Sequence, residues 1–578
     1  VSLAALFLYL STAARDVMTL DTPGFLIASK TLGVAQAPGY PLLTFLGYLF
    51  SWVPVGSPAF RIGLLAVVCS TATVALVYAT AWRLTESRAA AVTAGLALAF
   101  TPLFWRWSLQ METFPLNNLL AALIVYLLVR WHQDPEHRNF LFGAALVFGL
   151  GLANQQTVVL LVPAIVWILW LNRASLKRHP GTIGYAVLAI VVGLVPYIYV
   201  PLAAMSHSPT NWDYVHSFSA FMRLLLRKDY GGSFAQGSGG AVTGGNVLTR
   251  TIYLARGLGV IVGAVALLGM VSAYRRLRWY FWFVIFAVFF TGFVFNFATN
   301  LDPSNSVDLF ILERFFLLPL VIVAPLVGLG ICWLAEIITS FRPSLSVYRV
   351  TVGAAVAIVV ASLIVVGLNY STLNVSNDHV AGNYSRDVLG GLKYRTILFV
   401  NDAADVTTLY MTTVARVRPD VTVLVASALA DPWYAQVLRH NHQIHVPARM
   451  TILNIIRANP GRPVAVTGPS APDNSIDGKY YLYPDGLVSL LEPVGHPILV
   501  STDESDNEAQ LARIHVPNYR TIKPDSLEQG LLDYYAAIPY RIGQAYALAG
   551  NKSEAIRWYR KALAMDPSVS APVAAIRK

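Results

Sequence analysis

Two cysteines in 578 residues leave no room for a disulfide framework or a cysteine-built metal site. Both Cys69 and Cys332 fall in apolar runs, where a thiol behaves as a small hydrophobe. Charge is also scarce. Asp, Glu, Lys and Arg make up 13% of the chain, hydrophobic residues make up 56%, and the mean hydropathy is +0.55. Soluble domains carry about 25% charged residues, so an ordinary soluble enzyme and a disordered chain are both excluded, and a membrane protein is implied. Acid is scarcer than base, with 31 Asp and Glu against 42 Lys and Arg and a formal charge of +11. Such an excess can mark a surface for nucleic acid or anionic lipid, so its position along the chain decides its meaning.

That position is uneven. Residues 1–368 hold 22 Lys and Arg against 12 Asp and Glu, whereas residues 369–578 hold 20 against 19. Apolar runs of about 20 residues, enough to cross a bilayer, fall near 60–82, 89–104, 114–130, 139–153, 157–172, 182–204, 252–273, 279–298, 312–336 and 350–368. A shorter apolar stretch at the start predicts a further helix that is only partly represented, giving about 11 transmembrane helices. Alternate connections carry Arg83 and Arg88; Arg130 and Arg138; Arg173, Lys177 and Arg178; Arg275, Arg276 and Arg278; and Arg342 and Arg349. Short cationic loops stay cytoplasmic. The charge therefore reads as topology and excludes a nucleic-acid partner. It predicts that the remaining loops, and everything after residue 369, lie on the outer face.

The outward loops carry the residues with chemical potential. The first, over 15–59, contains Asp16 and Asp21 and is broken by Pro38, Gly39 and Pro41, which forbid one continuous helix. Asp16 is expected to pair with its neighbour Arg15. Asp21 is either a helix N-cap or a functional carboxylate. Glu112 in the second loop either orients an acceptor or pairs with Arg106. Arg61 and Arg314 lie at outer helix ends, where a cation meets a lipid phosphate or serves as an interfacial anchor; Arg314 has Glu313 beside it as an alternative partner. Arg223, Arg227 and Lys228 lie on the amphipathic FMRLLLRKDY, suited to an anionic lipid or a lipid-linked phosphate. The glycine-rich stretch that follows lacks the Gly-Lys-Ser/Thr of a phosphate-cradling loop and reads as a connector. Asp302 and Asp308 are too few for a divalent site, and no metal is predicted.

Beyond residue 369 the pattern changes to short apolar strands, TILFVND, VTVLVAS and RPVAVTG, alternating with polar helical stretches. This predicts a small parallel α/β domain at about 390–495, with Asn401, Asp402 and Asp405 at a strand end and Asp402 as a helix cap. From Ala536, residues Ile542, Gly543, Tyr546, Ala555, Tyr559, Ala562 and Pro567 follow the spacing of a single tetratricopeptide repeat (TPR). The expected organisation is a transmembrane domain over 1–368, a soluble extracytoplasmic α/β domain with linker over 369–530, and a TPR helical hairpin over 531–578. A lone repeat cannot bury its own faces, so it either packs on the α/β domain or offers a groove to a protein partner.

The run from Asp21 through LGVAQAPGYPL, then PVGSPAFRIGLLAVVCS and AWRLTESR, resembles the N-terminal part of the protein O-mannosyltransferase-like membrane proteins of the GT-C glycosyltransferase superfamily. WSLQMETFPLN, GLANQQT, YIYVPLAA, NWD, LLRKDYGG and ERFFLLP continue the resemblance through most of residues 10–340. It implies a GT-C-like helical fold, a polyprenyl-phosphate sugar as donor, no metal requirement, and transfer to an acceptor hydroxyl, such as a protein Ser or Thr, on the outer face. By that resemblance Asp21 is the general base, and Glu112, Arg61, Arg314, Arg223, Arg227 and Lys228 are substrate-binding candidates. Two positions depart from the family pattern. Gly24 stands where its glutamate would be and Gln36 where its histidine would be. These departures keep open a second reading, a noncatalytic scaffold or accessory subunit of a larger membrane complex.

Overall fold

The computed structural model describes residues 1–230, 259–299, 301, 306–400, 406–468, 471–495, 500–522 and 527–569. The glycine-rich stretch, Asp302, Asn401, Asp402 and Asp405 lie outside them. Five described helices are long and apolar enough to cross a membrane: Pro58–Thr85, Thr113–Gln133, Gly181–Ala203, Asp308–Phe341 and Val347–Leu373. Several of the other apolar runs form helices of 10–17 residues, among them Arg88–Ala99, Asn139–Leu152 and Arg278–Val294. Local chemistry sets the helix ends. Ser57 accepts a hydrogen bond from Phe60 N at 3.1 Å and Pro58 occupies the first turn, where its missing N–H costs nothing. Within the bundle, small residues let backbones touch. A Cβ on Gly330 would collide with the Val265 carbonyl, and one on Gly269 with that of Leu326, so helix Val260–Arg276 crosses helix Leu317–Phe341 at backbone contact.

The cation-rich connections gather at one end of the bundle. Arg178 pairs with Glu136 at 2.7 Å, Gln133 donates to Arg83 O at 3.0 Å, and Asn172 meets His132 at 2.9 Å. Arg276 holds Glu336 at 2.5 Å. The loops bearing Asp21, Glu112 and Arg314 meet one another elsewhere, where Thr22 Oγ1 donates to Met111 O at 3.2 Å and Ala14 N to Leu109 O at 3.0 Å.

The C-terminal part contains a five-stranded sheet in the order β2-β1-β3-β5-β4, with β1 Ile397–Val400, β2 Thr422–Val425, β3 Val464–Thr467, β4 Tyr480–Asp485 and β5 Val488–Pro493. Strands β1, β2 and β3 are parallel and occupy the three apolar runs read from the sequence. The sheet is mixed, however, because β5 pairs antiparallel with both β3 and β4. The hairpin turns at Gly486, whose φ of +62° suits glycine. Helices Leu527–Leu548 and Lys552–Met565 form the terminal hairpin. A Cβ on Gly543 would crowd the Tyr559 ring at 2.7 Å, so this glycine sets their close approach. The hairpin packs back on the sheet region: Arg541 donates to Ser489 Oγ and Gly486 O, both at 2.9 Å, and Tyr535 donates to Asp387 at 2.8 Å.

Asp16 joins the two halves. It pairs with Arg386 at 2.7 Å and meets His379 at 3.3 Å, not Arg15 as the sequence suggests. Arg15 instead lies over the Phe60 ring at 4.0 Å and donates to Leu10 O at 2.9 Å. A cation on the adjacent residue is poorly placed for a carboxylate that folding turns toward the C-terminal domain.

Candidate active site

Asp21 occupies the N-cap position of helix Thr22–Thr31 but makes no capping hydrogen bond. Its Oδ2 instead accepts from Arg314 Nη1 at 2.8 Å. The same Nη1 lies 3.8 Å from Glu112 Oε1, so one guanidinium stands between two carboxylates. Arg106 takes Glu313, at 2.8 Å, and this overturns two sequence expectations at once: Glu112 does not pair with Arg106, nor Arg314 with Glu313. The physical reason is local. Arg314 and Glu313 are neighbours on a tight helical turn, and their side chains leave it toward different partners.

The cluster is largely dry. Glu112 is 1% exposed, Arg314 11% and Asp21 29%. Arg314 is framed by the rings of Phe114 at 5.3 Å, Phe315 at 5.8 Å and Trp107 at 6.0 Å. Arg314 Nε and both carboxylate oxygens of Glu112 are buried without a hydrogen-bond partner, which is costly unless the site is built for something else. Burial pushes the Glu112 carboxyl up to about 8, Arg314 opposing the rise and the Asp21 charge adding to it. Near neutral pH, therefore, Glu112 holds its proton for much of the time.

Asp21 and Arg314 of this cluster line a cavity of about 800 Å³. Arg227 and Gln36 line it, as do Phe25, Tyr40 and Asp308, and its remaining walls are mostly apolar, with Phe221, Leu225, Leu194, Phe295 and Ile311 among them. The amphipathic helix Phe218–Leu225 therefore supplies both an apolar wall and, just beyond it, Arg227. The other predicted cations stand apart. Arg223 is tied to Asp213 at 2.8 Å, Lys228 is exposed, and Arg61 donates to Gly56 O at 2.8 Å; none of the three lines the cavity. Tyr40, Gln155, Thr113 and Tyr197 do line it, although the sequence reading did not single them out. Their signal was present in APGYPL and GLANQQT, segments that carry the family resemblance without revealing which side chains face inward.

The described helices form an apolar bundle with a cavity lined by Asp21 and Arg314, and its fold is shared by solved structures. The solved structure of ArnT from Cupriavidus metallidurans bound to undecaprenyl phosphate superposes with a TM-score of 0.57 at 11% identity, covering 86% of this chain and 98% of that one; at that identity the likeness speaks for the fold. In sequence, the chain is similar to protein O-mannosyl-transferases. Residues 21–178 match the family model described as the N-terminal domain of protein O-mannosyl-transferase TMEM260. Over 466 residues the chain is 28% identical to the protein O-mannosyl-transferase TMEM260 of Mus musculus, covering 77% of this chain and 64% of the mouse protein. With the Dictyostelium discoideum protein of the same name it shares 24% identity, covering 92% of this chain and 71% of that one. The chain thus spans just under two thirds of the length of the mouse relative.

Proposed function

We propose that the protein transfers a sugar, mannose by its likeness to the named relatives, from a polyprenyl-phosphate donor to an acceptor hydroxyl on the outer face, such as a protein Ser or Thr. The observation that carries this reading is the Asp21–Arg314–Glu112 cluster, whose Asp21 and Arg314 line a mostly apolar cavity. The apolar walls suit a prenyl chain, and Arg314 and Arg227 suit its phosphate. Asp21 takes the proton of the acceptor hydroxyl as that oxygen bonds to the anomeric carbon. The bond from that carbon to phosphate breaks, and the polyprenyl phosphate leaves with the electron pair, its charge met by the guanidinium groups. Arg314 currently holds Asp21; a bound phosphate competes for that guanidinium and releases the carboxylate to act as base. The proposed reaction is one without a metal, the charge of the leaving phosphate being met by guanidinium groups. Arg61, Arg223 and Lys228 remain proposed contacts for the donor or for the surrounding lipid outside the cavity. About 11 membrane spans, with the α/β domain and the TPR-like hairpin outside, complete the proposal.

The departures at Gly24 and Gln36 do not close the site. A Cβ at Gly24 would meet nothing within 4 Å, Gln36 lines the cavity, and Glu112 supplies a second carboxylate beside Asp21. The test is Asp21→Asn in the full chain, reconstituted in lipid nanodiscs with labelled polyprenyl phosphomannose and a Ser/Thr-containing acceptor. Transfer is expected to fall by about 100-fold or more. Unchanged transfer would remove Asp21 from the base role, and a wild-type chain that binds the donor but transfers nothing would favour the scaffold reading.

A further inference from the structure

Beside its charged and apolar parts, the cavity has a neutral polar wall. Gln36, Gln155, Gln156, Thr113 and Thr157 line it. Gln155 is 8% exposed and Thr113 3%, and the described structure gives the Gln36 carboxamide no side-chain hydrogen bond. Behind this wall is a layer of buried amides that fixes it in place. Asn154 Nδ2 donates to Thr113 O at 3.2 Å, Asn117 Nδ2 faces Thr157 Oγ1 at 3.4 Å, and Gln156 Nε2 donates to Leu225 O at 2.7 Å. The Oδ1 atoms of Asn117, Asn118 and Asn154 are buried and accept no hydrogen bond. Buried polar groups are normally satisfied, and inside a membrane bundle they are costly and tend to be functional. Thr113 Oγ1 donates weakly to Gln155 Oε1 at 3.4 Å, which leaves the Nε2 donors of that carboxamide for another partner.

We propose that Gln155 and Gln36 form the sugar-recognition subsite, taking the hydroxyls of the transferred hexose by neutral hydrogen bonds while the charged end takes the phosphate. The assignment rests on the donor reading above. The chemistry distinguishes the two ends: carboxamides both donate and accept, as sugar hydroxyls do, whereas a prenyl chain would leave them unpaired and a phosphate is better served by guanidinium. A site built to hydrogen-bond a hydroxyl discriminates strongly against its absence or displacement, so these residues set sugar selectivity.

The test uses the full chain in nanodiscs with three probes: polyprenyl phosphomannose, its C2 epimer polyprenyl phosphoglucose, and bare polyprenyl phosphate. Gln155→Leu and, separately, Gln36→Leu are expected to lower kcat/KM on phosphomannose at least tenfold and to narrow the discrimination between the two sugars. Each is expected to leave the affinity for the bare phosphate within about twofold of wild type. Equal weakening of the sugar-bearing and bare lipids would overturn the proposal, and so would unchanged discrimination. Binding of the three lipids is also measured without acceptor. If wild type transfers nothing yet prefers phosphomannose to bare phosphate, and the variants lose that preference, the subsite stands and only the transferase reading fails. Using two variants guards against one that fails to fold.

Discussion

At the scale of single residues, the organising group is Arg314. One nearly buried guanidinium neutralises Asp21 and lies beside Glu112, so its removal leaves the Asp21 carboxylate without its counter-charge in a dry pocket. Arg314→Met is expected to destabilise the protein by about 3 kcal/mol, read as a lower thermal midpoint in nanodiscs, and to abolish donor binding. Glu112 gives a pH signature. Its folded pKa lies above the ordinary carboxylate value, at about 8, so the folded state holds the proton more tightly than the unfolded chain. The penalty for ionising it is absent below the ordinary value, grows as pH rises and is complete above about 8. Glu112→Gln should therefore flatten the loss of stability between pH 5 and 9, gaining roughly 1–3 kcal/mol on wild type at the alkaline end; thermal midpoints across that range check it. Sequence reading picked out these charged residues but not the partners they take in the structure. Asp16, Glu112 and Arg314 each had an oppositely charged residue next to it or nearby in the chain, and in each case folding supplied another partner from far away.

At the scale of elements, apolar length and proline or serine caps made most of the helices legible, and β-branched runs made β1, β2 and β3 legible. The antiparallel hairpin of β4 and β5 was not legible. Its first strand, YYLYPD, carries a proline and is only half-buried, so it lacks the continuous apolar run that marks a central strand. Gln155 escaped for a related reason, since an amide in an interhelical turn does not announce whether it faces solvent, a neighbouring helix or a ligand. Where backbones touch, sequence tolerance is narrow. Gly330→Leu would drive a side chain into the Val265 carbonyl and is expected to cost about 3 kcal/mol or more, whereas the same change at Gly353, where a Cβ meets nothing within 4 Å, should cost little. Paired thermal melts separate the two.

At the scale of the whole molecule, the charge asymmetry of the loops makes a directional prediction. Cysteine labelling in intact cells tests it against the native thiols, of which Cys69 is buried and Cys332 partly so. Tyr394→Cys, in the C-terminal domain and 75% exposed in wild type, should react with an impermeant maleimide from outside. His137→Cys, in a cation-rich connection, should react only after permeabilisation. The opposite pattern would invert the proposed orientation and place Asp21 on the inner side.

The clasp at Asp16 has a thermodynamic meaning. Asp16 and Asp21 share one short stretch of chain, and Asp16 is held by Arg386 and His379 of the C-terminal part. Occupancy of the cavity and the docking of that part therefore bias the same segment, and linkage makes any such bias mutual. A lipid phosphate that draws Arg314 away from Asp21 should alter amide exchange around residues 379–386. By the same reciprocity, Arg386→Ala should change donor affinity although Arg386 does not line the cavity. The C-terminal part would then be an effector of the cavity site, and whatever binds it would tune that site without touching a substrate.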